Sequence, residues 1–218
     1  MNEWLLSALS VVVVGGYGLW YLRSYRKRRD KYAAAAAEQG WAYTQRDRDL
    51  LGRCHGYPFL EGRRPRAWHA ITGQDGRREF LSFEYSDVIG GTTSDDAGRA
   101  ERYFTQVFAL KVPDGTRSLA VQPRGVLGKL GGGLGFRGGT IGDPDFDRRW
   151  TVDGSPGDVT PAVRDWLARH RRPFRRTAGE LWIWVDGRMD VGRIAPALGD
   201  LHELADALGK RLPPPSPG

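Results

Sequence analysis

The chain has 218 residues, of which 40% are hydrophobic and 27% charged, a length and composition typical of one globular domain and unlike a disordered protein. Its formal net charge is +7, yet residues 32–218 carry 27 basic against 24 acidic side chains, so most of the excess lies before residue 32. Nucleic-acid-binding proteins usually carry their basic excess on the folded domain, and we therefore expect no nucleic-acid partner.

The first segment of the chain is an uncharged run of 19 residues at 4–22. A helix of this length spans about 28 Å, close to the hydrocarbon thickness of a bilayer. Trp4 stands at one end, and Trp20 and Tyr21 stand at the other, where aromatic rings favour the membrane interfaces. The run predicts a transmembrane helix. The alternative is a cleaved secretory signal, which begins with basic residues, whereas this chain begins with Glu3.

Six basic side chains follow the predicted span directly. They are Arg23, Arg26, Lys27, Arg28, Arg29 and Lys31. Basic residues beside a span stay in the cytoplasm, so we predict a single-pass cell-membrane protein with its N-terminus outside and its folded domain in the cytoplasm. The same six residues are the predicted site for anionic lipid headgroups. The membrane itself, an anionic lipid or a membrane protein is the expected partner, and the sequence does not indicate an oligomeric state.

The segment at 23–40 predicts a stalk helix, because alanines at 33–37 favour helix and Gly40 is a typical helix terminator. After Gly40 the pattern changes to the alternation that is typical of strands. Three antiparallel hairpins are predicted: 66–72 with 78–85, 102–112 with 117–122, and 174–177 with 181–185. The last strand is apolar on both faces, so we expect it to be central or covered. The polar segment 86–99 is predicted to be a loop.

The C-terminal half carries the helix signals. A glycine-rich stretch at 128–142 precedes a predicted strand at 146–152. Thr160 followed by Pro161 predicts the start of a helix, and a second helix is predicted near 198–208. These signals indicate an α+β domain at 41–209, in which two helices cover one antiparallel sheet of hairpins. The proline-rich segment 210–218 predicts a disordered tail.

Cys54 and His55 are the first candidate for chemistry, as a nucleophile beside its base. Adjacent strand residues point to opposite faces, so this pair would not interact, and Cys54 would need His69, His170 or His202 brought in by folding. A small, buried or half-buried structural residue is the preferred interpretation. As the single cysteine, Cys54 forms no intrachain disulfide, which suits a reducing compartment.

Two further patterns imitate known sites. Residues 133–138 match the letters of a dinucleotide-binding loop, but the sequence that follows does not begin the helix which that mechanism requires. Asp143, Asp145 and Asp147 imitate the start of a calcium loop, but Arg148 and Gly154 occupy its required glycine and glutamate positions. We therefore interpret these residues as a glycine loop and as carboxylates of turns.

The remaining candidates favour structural roles. His170 is predicted at the boundary of a helix, and Trp182 with Trp184 on one face of a strand predict core packing. The sequence has no nucleophile elbow, Walker loop or zinc-protease helix motif. We predict no catalytic residue, no metal ligand and no cofactor.

Several short stretches resemble a family of uncharacterised, membrane-anchored bacterial proteins, chiefly from actinobacteria. The stretches are 146–152, Thr160-Pro161 with Trp166-Leu167, 180–185, 51–53, 56–59 and 83–85. The resemblance extends over about 41–208, although the loop at 153–159 is shorter than in the relatives. It implies the membrane topology and the α+β fold, and it implies no activity.

The sequence thus predicts a non-catalytic, membrane-tethered module that binds a lipid or protein partner. Two alternatives stay open at this stage. One is a membrane-tethered hydrolase whose site is assembled from distant residues, and the other is an accessory subunit of an envelope or secretion assembly. Whether the segments 86–99 and 128–142 are functional does not follow from the sequence.

Overall fold

A computed structural model describes residues 3–56, 58–59, 64–76, 78–89, 101–113, 118–124, 139–177 and 179–209, with the backbone alone at 3–15, 17–19, 21–22, 89 and 101. The helices are α1 (Glu3–Glu38), α2 (Pro144–Asp147), α3 (Pro161–His170) and α4 (Ile194–Gly209). The strands are β1 (Ala42–Arg46), β2 (Arg66–Asp75), β3 (Arg78–Ile89), β4 (Glu101–Lys111), β5 (Leu119–Pro123), β6 (Trp150–Gly154), β7 (Phe174–Thr177) and β8 (Glu180–Asp186).

The described strands form one eight-stranded sheet in the order β1-β2-β3-β4-β8-β7-β5-β6. All of its neighbouring strands are antiparallel. Helices pack on this sheet, so the predicted α+β class is confirmed. Strand β8 lies between β4 and β7, which confirms the expectation that the doubly apolar strand is central.

Both faces of the sheet are covered. On one face, α3, α4 and the end of α1 contribute to the larger core, in which Trp166 and Leu201 are fully buried. On the opposite face, Leu50 from a 3₁₀ turn and Phe59 cover a smaller core that includes Trp182 and Trp184. The two tryptophans therefore pack in a core, as their shared face indicates.

Two of the three predicted hairpins are confirmed. Strands β2 and β3 pair around a turn in which Gly76 has φ +61°, and β7 pairs with β8. The second predicted hairpin is wrong, because β4 pairs with β3 and β8 while β5 pairs with β6 and β7. The two edges of β4 are occupied by β3 and β8, which are both longer than β5. Strand β5 therefore pairs with the edge of β7 that faces away from β8.

Two local predictions also need correction. The predicted strand 146–152 begins as helix α2, because Asp143 accepts hydrogen bonds from two amides of the first turn, and β6 starts at Trp150. The polar segment 86–99 is strand up to Ile89, and residues 90–100 lie outside the described residues. The dinucleotide-like residues 133–138 and the tail 210–218 also lie outside them.

The predicted helix starting at Thr160 is present. The Thr160 side chain accepts a hydrogen bond from the backbone N–H of Val163, and Pro161 occupies the first turn. The helix ends at His170, where Arg171 adopts a left-handed backbone with φ +51°. The last predicted helix is α4, and Trp166 of α3 donates a hydrogen bond to the carbonyl of Asp200 across the contact between the two helices.

Helix α1 runs without interruption from Glu3 to Glu38 and is followed by Gly40, whose φ is +70°. Among the residues whose side chains are described, no helix has the length and apolar character needed to cross a bilayer. Most side chains of the predicted span at 4–22 lie outside the described residues. The transmembrane helix therefore stays a prediction.

Candidate binding pocket between helix α1 and the sheet

One pocket combines buried and charged polar groups, and we call it the α1 pocket. Its volume is about 380 Å³, within the range of small-ligand sites. Helix α1 forms one wall with Trp20, Ser24, Tyr25 and Arg28. The floor comes from β2 (Arg66, Trp68, His69), β3 (Glu84, Ser86) and β4 (Arg102, Phe104), and Arg188, after β8, lies at the margin.

The α1 wall follows from helical spacing. Trp20, Ser24 and Arg28 are four residues apart, so they share one face of α1. The same face continues to Tyr32 and Ala36, and Ala36 is fully buried in the larger core. Residues 32–36 of α1 therefore anchor the helix to the core, while residues 20–28 border the pocket.

The floor follows from strand register. Arg66 lies opposite Ser86, and Ser86 lies opposite Phe104, so the three form one row across β2, β3 and β4. Trp68, Glu84 and Gln106 form the next row. Because alternate residues of a strand share a face, both rows point to the same side of the sheet as α1.

Glu84 is the buried acid of the pocket, with 5% of its surface exposed. Its Oε2 accepts a hydrogen bond of 2.8 Å from the backbone N–H of Met189. Burial raises the pKa of Glu84, and the Met189 hydrogen bond together with the positive charges of Arg188 and Arg28 opposes that rise. Within the described residues, Oε1 of Glu84 has no hydrogen-bond donor.

His69 sits at a β-bulge between Trp68 and Ile71 and has φ +53°. Its Nδ1 lies 2.8 Å from the hydroxyl of Tyr43, and its ring meets that of Tyr32 edge-on at 4.8 Å. Burial lowers the pKa of His69 to about 4, helped by the positive charges of Arg28 and Arg188. Burial also raises the pKa of Tyr43 to about 12. Both shifts favour a neutral imidazole that is hydrogen-bonded to a neutral Tyr43 hydroxyl.

Three hydrogen-bonded side chains fix the segment that carries Arg188. Gln106 donates to the carbonyl of Asp190 at 2.9 Å and accepts from its N–H at 3.0 Å. Glu84 binds the N–H of Met189, and the Tyr32 hydroxyl donates to the Met189 carbonyl at 2.9 Å. The Arg188 guanidinium lies 3.9 Å from the centre of the Phe104 ring, which holds it over the floor.

The α1 pocket is therefore lined by four arginines and one carboxylate. Among the described residues, no carboxylate lies within salt-bridge distance of Arg28, Arg66, Arg102 or Arg188, and Arg102 donates to the hydroxyl of Ser86 at 3.3 Å. The arginines come from α1, β2, β4 and the turn after β8. Such a concentration of guanidinium groups is suited to binding a phosphate or a carboxylate.

A larger hollow of about 820 Å³ lies beside α2 and α3. Arg164 and Asp143 pair there at 3.2 Å, and Arg148 pairs with Asp145 close by. Because these charges satisfy one another at the surface, the hollow offers less to a charged ligand than the α1 pocket does.

The sequence-based candidates are spread over the molecule. Of the six basic residues of the predicted lipid site, Arg28 borders the α1 pocket and Arg29 pairs with Asp30 at 2.7 Å. Arg23, Arg26, Lys27 and Lys31 are exposed on α1. The pocket thus draws one residue from the predicted cluster, and three of its arginines were not predicted.

Cys54 and His55 follow a 3₁₀ turn at Asp49–Arg53 and do not lie in a strand as assumed. The Cys54 thiol is half-buried and donates to the carbonyl of Leu50 at 3.1 Å. Burial raises the pKa of this thiol to about 12, so it is protonated at neutral pH. This state does not suit a nucleophile.

His170 and the aspartates have structural contacts. His170 stacks on Trp166 at 4.8 Å, and its Nδ1 and Nε2 lie 3.2 Å from Asp200 and Glu203 of α4. Asp147 accepts hydrogen bonds from the N–H groups of Ile141 and Gly142. In the part of the chain that is described, no group of three His, Cys, Asp or Glu residues has the arrangement of a metal site.

Comparison with known proteins gives a fold. No protein-family model matches the chain, and no curated protein is similar to it at a significant level. A solved structure is similar. It is the crystal structure of the mycobacterial trehalose monomycolate transport factor A, TtfA, with a TM-score of 0.56 and 15% identity over 88% of this chain and 97% of that chain.

At 15% identity this likeness to TtfA shows a shared fold and nothing more. It extends over nearly the whole length of both chains, so the eight-stranded sheet and its helices are one known architecture. The neighbour is mycobacterial, which supports the actinobacterial resemblance at the level of fold.

Proposed function

We propose that this chain is a membrane-tethered, non-catalytic accessory module that serves the transport of a membrane lipid. The α1 pocket carries the proposal, because it is built jointly by the folded domain and by the part of α1 nearest the predicted span. A ligand that enters from the membrane surface would meet this pocket first. Within the described residues, the four arginines of the pocket also lack a carboxylate at salt-bridge distance, which suits an anionic ligand.

The fold adds a second, weaker support. The similar structure belongs to a protein described as a trehalose monomycolate transport factor. An accessory role in lipid transport needs a tether and a binding surface but no catalytic group.

A membrane-tethered hydrolase is the second candidate, and one observation favours it. Glu84 and His69 line the same pocket, and such pairs can act as acid and base. However, Glu84 accepts a hydrogen bond from the N–H of Met189, and His69 is hydrogen-bonded to Tyr43. Among the described residues, no hydrogen bond joins Glu84 to His69. Their present partners favour a structural role for both.

Crosslinking in the native membrane tests the proposal. The full chain should crosslink to an integral membrane protein of lipid transport, whereas a chain that lacks residues 1–31 should lose that partner. Recovery of the same partner from soluble extract by the shortened chain would contradict the tethered role. Turnover of an ester by the full chain that is abolished by Glu84→Gln would favour the hydrolase instead.

A further inference from the structure

The charges of the α1 pocket call for an anionic group. Four arginines and a single carboxylate line it, and the lowered pKa of His69 leaves its imidazole neutral at physiological pH. Arginine binds phosphate oxygens through paired N–H donors, and Arg28, Arg66 and Arg188 are exposed, so a ligand can reach them. A phosphate ester fits this surplus of donors better than a carboxylate, because it offers more acceptor oxygens.

Glu84 makes a simple anion a poor occupant. A carboxylate on the floor repels a second anion unless the ligand also brings hydrogen-bond donors. The described donors engage Oε2 of Glu84, which leaves Oε1 for the ligand. Hydroxyl groups are such donors, and the half-buried ring of Trp68, which lies opposite Glu84 in the sheet, also lines the pocket.

The position of the pocket indicates where the rest of the ligand lies. Trp20 borders the pocket and is 64% exposed, and it stands at the end of the predicted span. Tryptophan rings favour the headgroup level of a bilayer. A ligand whose polar part lies between Arg66 and Arg188 would therefore have its remainder beside Trp20, at the depth where acyl chains begin.

We propose that the α1 pocket binds the headgroup of an anionic phospholipid that carries free hydroxyl groups, of which phosphatidylglycerol is the simplest example. The arginines bind the phosphate, and Glu84 accepts a hydrogen bond from a headgroup hydroxyl. This inference rests on the tether of the proposed function. It differs from the basic cluster predicted from the sequence, because three of the four arginines belong to the folded domain.

Native mass spectrometry of the full chain in neutral detergent tests the proposal. The lipids are phosphatidylglycerol, phosphatidic acid and phosphatidylcholine with identical acyl chains. We expect one phosphatidylglycerol to bind at least tenfold more tightly than phosphatidylcholine. Arg66→Gln and Arg188→Gln should each weaken that binding about tenfold, because each removes a charged hydrogen-bond donor. Arg66 is exposed on β2, so its variant should fold normally.

The matched control is Arg148→Gln, which removes the same charge from an exposed position directly after α2 and should leave binding unchanged. Glu84→Gln keeps an oxygen for the Met189 amide but loses the carboxylate, and it should bring phosphatidylglycerol and phosphatidic acid to equal affinity. An equal loss of binding in Arg66→Gln and Arg148→Gln would overturn the proposal, since it would show that net charge alone determines lipid binding.

Two further arms separate the possible failures. Glycerol 1-phosphate should not displace the lipid at comparable concentrations; if it does, the ligand is a soluble phosphate ester and the lipid assignment is wrong. A carbonate wash of the native membrane tests the tether independently. If the chain is washed off, the proposed function fails. If the chain stays but phosphatidylglycerol binds no better than phosphatidylcholine, the inference about the pocket alone fails.

Discussion

His69 is held by a left-handed backbone and by two tyrosines, and its imidazole has little access to water, with 6% of its surface exposed. Its pKa of about 4 lies below the usual value of 6.5. The unfolded chain therefore binds a proton at a higher pH than the folded chain does. The stability that His69 contributes is complete above pH 6.5 and is lost as the pH falls from 6.5 to about 4.

The variant His69→Asn should remove this pH dependence. Asparagine tolerates a positive φ and does not titrate, so the bulge should persist. We expect about 3 kcal/mol less change in the free energy of unfolding between pH 6.5 and pH 4 than in the unmodified chain. Urea unfolding in detergent at several pH values measures it.

Glu84 also contributes to the pH dependence of stability, and its pKa shift has the opposite sign to that of His69. Its raised pKa means that the folded chain takes up a proton before the unfolded chain does, so Glu84 stabilises the fold as the pH falls. The comparison should therefore be repeated with Glu84→Gln present in both chains. If, in the Glu84→Gln background, the free energy of unfolding changes with pH by the same amount with and without His69, the lowered pKa assigned to His69 is wrong.

Gly154 tests the packing at the end of β6. Its φ is +118°, and a Cβ atom there would come within 2.5 Å of the carbonyl oxygen of Ser118, the residue before β5. Gly154→Ala should destabilise the fold by about 2 kcal/mol or more, because both the backbone and the neighbour must move. Gly157→Ala is the control, since the nearest contact there is at 3.9 Å. Thermal unfolding compares them, and equal midpoints would contradict the argument.

At the scale of elements, helix α1 is attached to the domain by a few specific contacts. Tyr32 donates to the Met189 carbonyl, Gln45 of β1 donates to the hydroxyl of Tyr25 at 2.8 Å, and Ala36 is buried. The Tyr32 contact matters most for the α1 pocket, because the same peptide segment binds Glu84 and carries Arg188. The position of α1 and the geometry of the pocket are therefore coupled.

Tyr32→Phe should loosen this attachment. The loss of a part-buried hydrogen bond costs about 1 kcal/mol, and the Met189 carbonyl is left without that donor. We expect trypsin to cleave at the basic residues 23–31 several times faster, because local undocking exposes the helix. Tyr103→Phe, on β4, is the control and should leave the cleavage rate unchanged. Equal rates in Tyr32→Phe and the unmodified chain would show that the hydrogen bond does not hold α1.

Elements could be predicted wherever neighbours in sequence decide the structure. Gly76 and the turn before Glu180 fix two hairpins locally, and Thr160 with Pro161 fixes the start of α3. The error at β4 and β5 has a different origin. A turn signal at Pro113–Gly115 indicates a change of direction, but the choice of partner strand depends on distant residues that compete for each edge of β4.

The α1 pocket could not be predicted for a related reason. Ser82, Glu84 and Ser86 alternate with apolar residues, which is the usual pattern of a strand with one face in solvent. In the folded chain all three are buried, because α1 and the segment after β8 cover that face. The alternating pattern indicates which face of β3 carries the polar residues, but it does not indicate that other elements cover that face. The arginines of the pocket come from separate elements, so no local pattern in the sequence connects them.

At the scale of the whole molecule, two parts of the chain depend on each other. The sheet and helices α3 and α4 have a core of their own, while the α1 pocket is complete only when residues 20–28 of α1 lie against β2 and β3. A folded domain that is separated from its helix would retain its sheet and lose one wall of the pocket. The same helix therefore carries the predicted membrane span and one wall of the α1 pocket.

The orientation of the tether is the last prediction. Since six cations follow the run at 4–22, a transmembrane helix leaves them most favourably in the cytoplasm, and the α1 pocket then faces the inner leaflet. Protease added to intact cells should spare the domain at 41–209, and detergent should expose it. Replacing all six cations with glutamine while adding three lysines before Trp4 should reverse this result, because the basic excess determines the orientation. A domain that is digested in intact cells before any change would place the pocket on the opposite side of the membrane and exclude an inner-leaflet ligand.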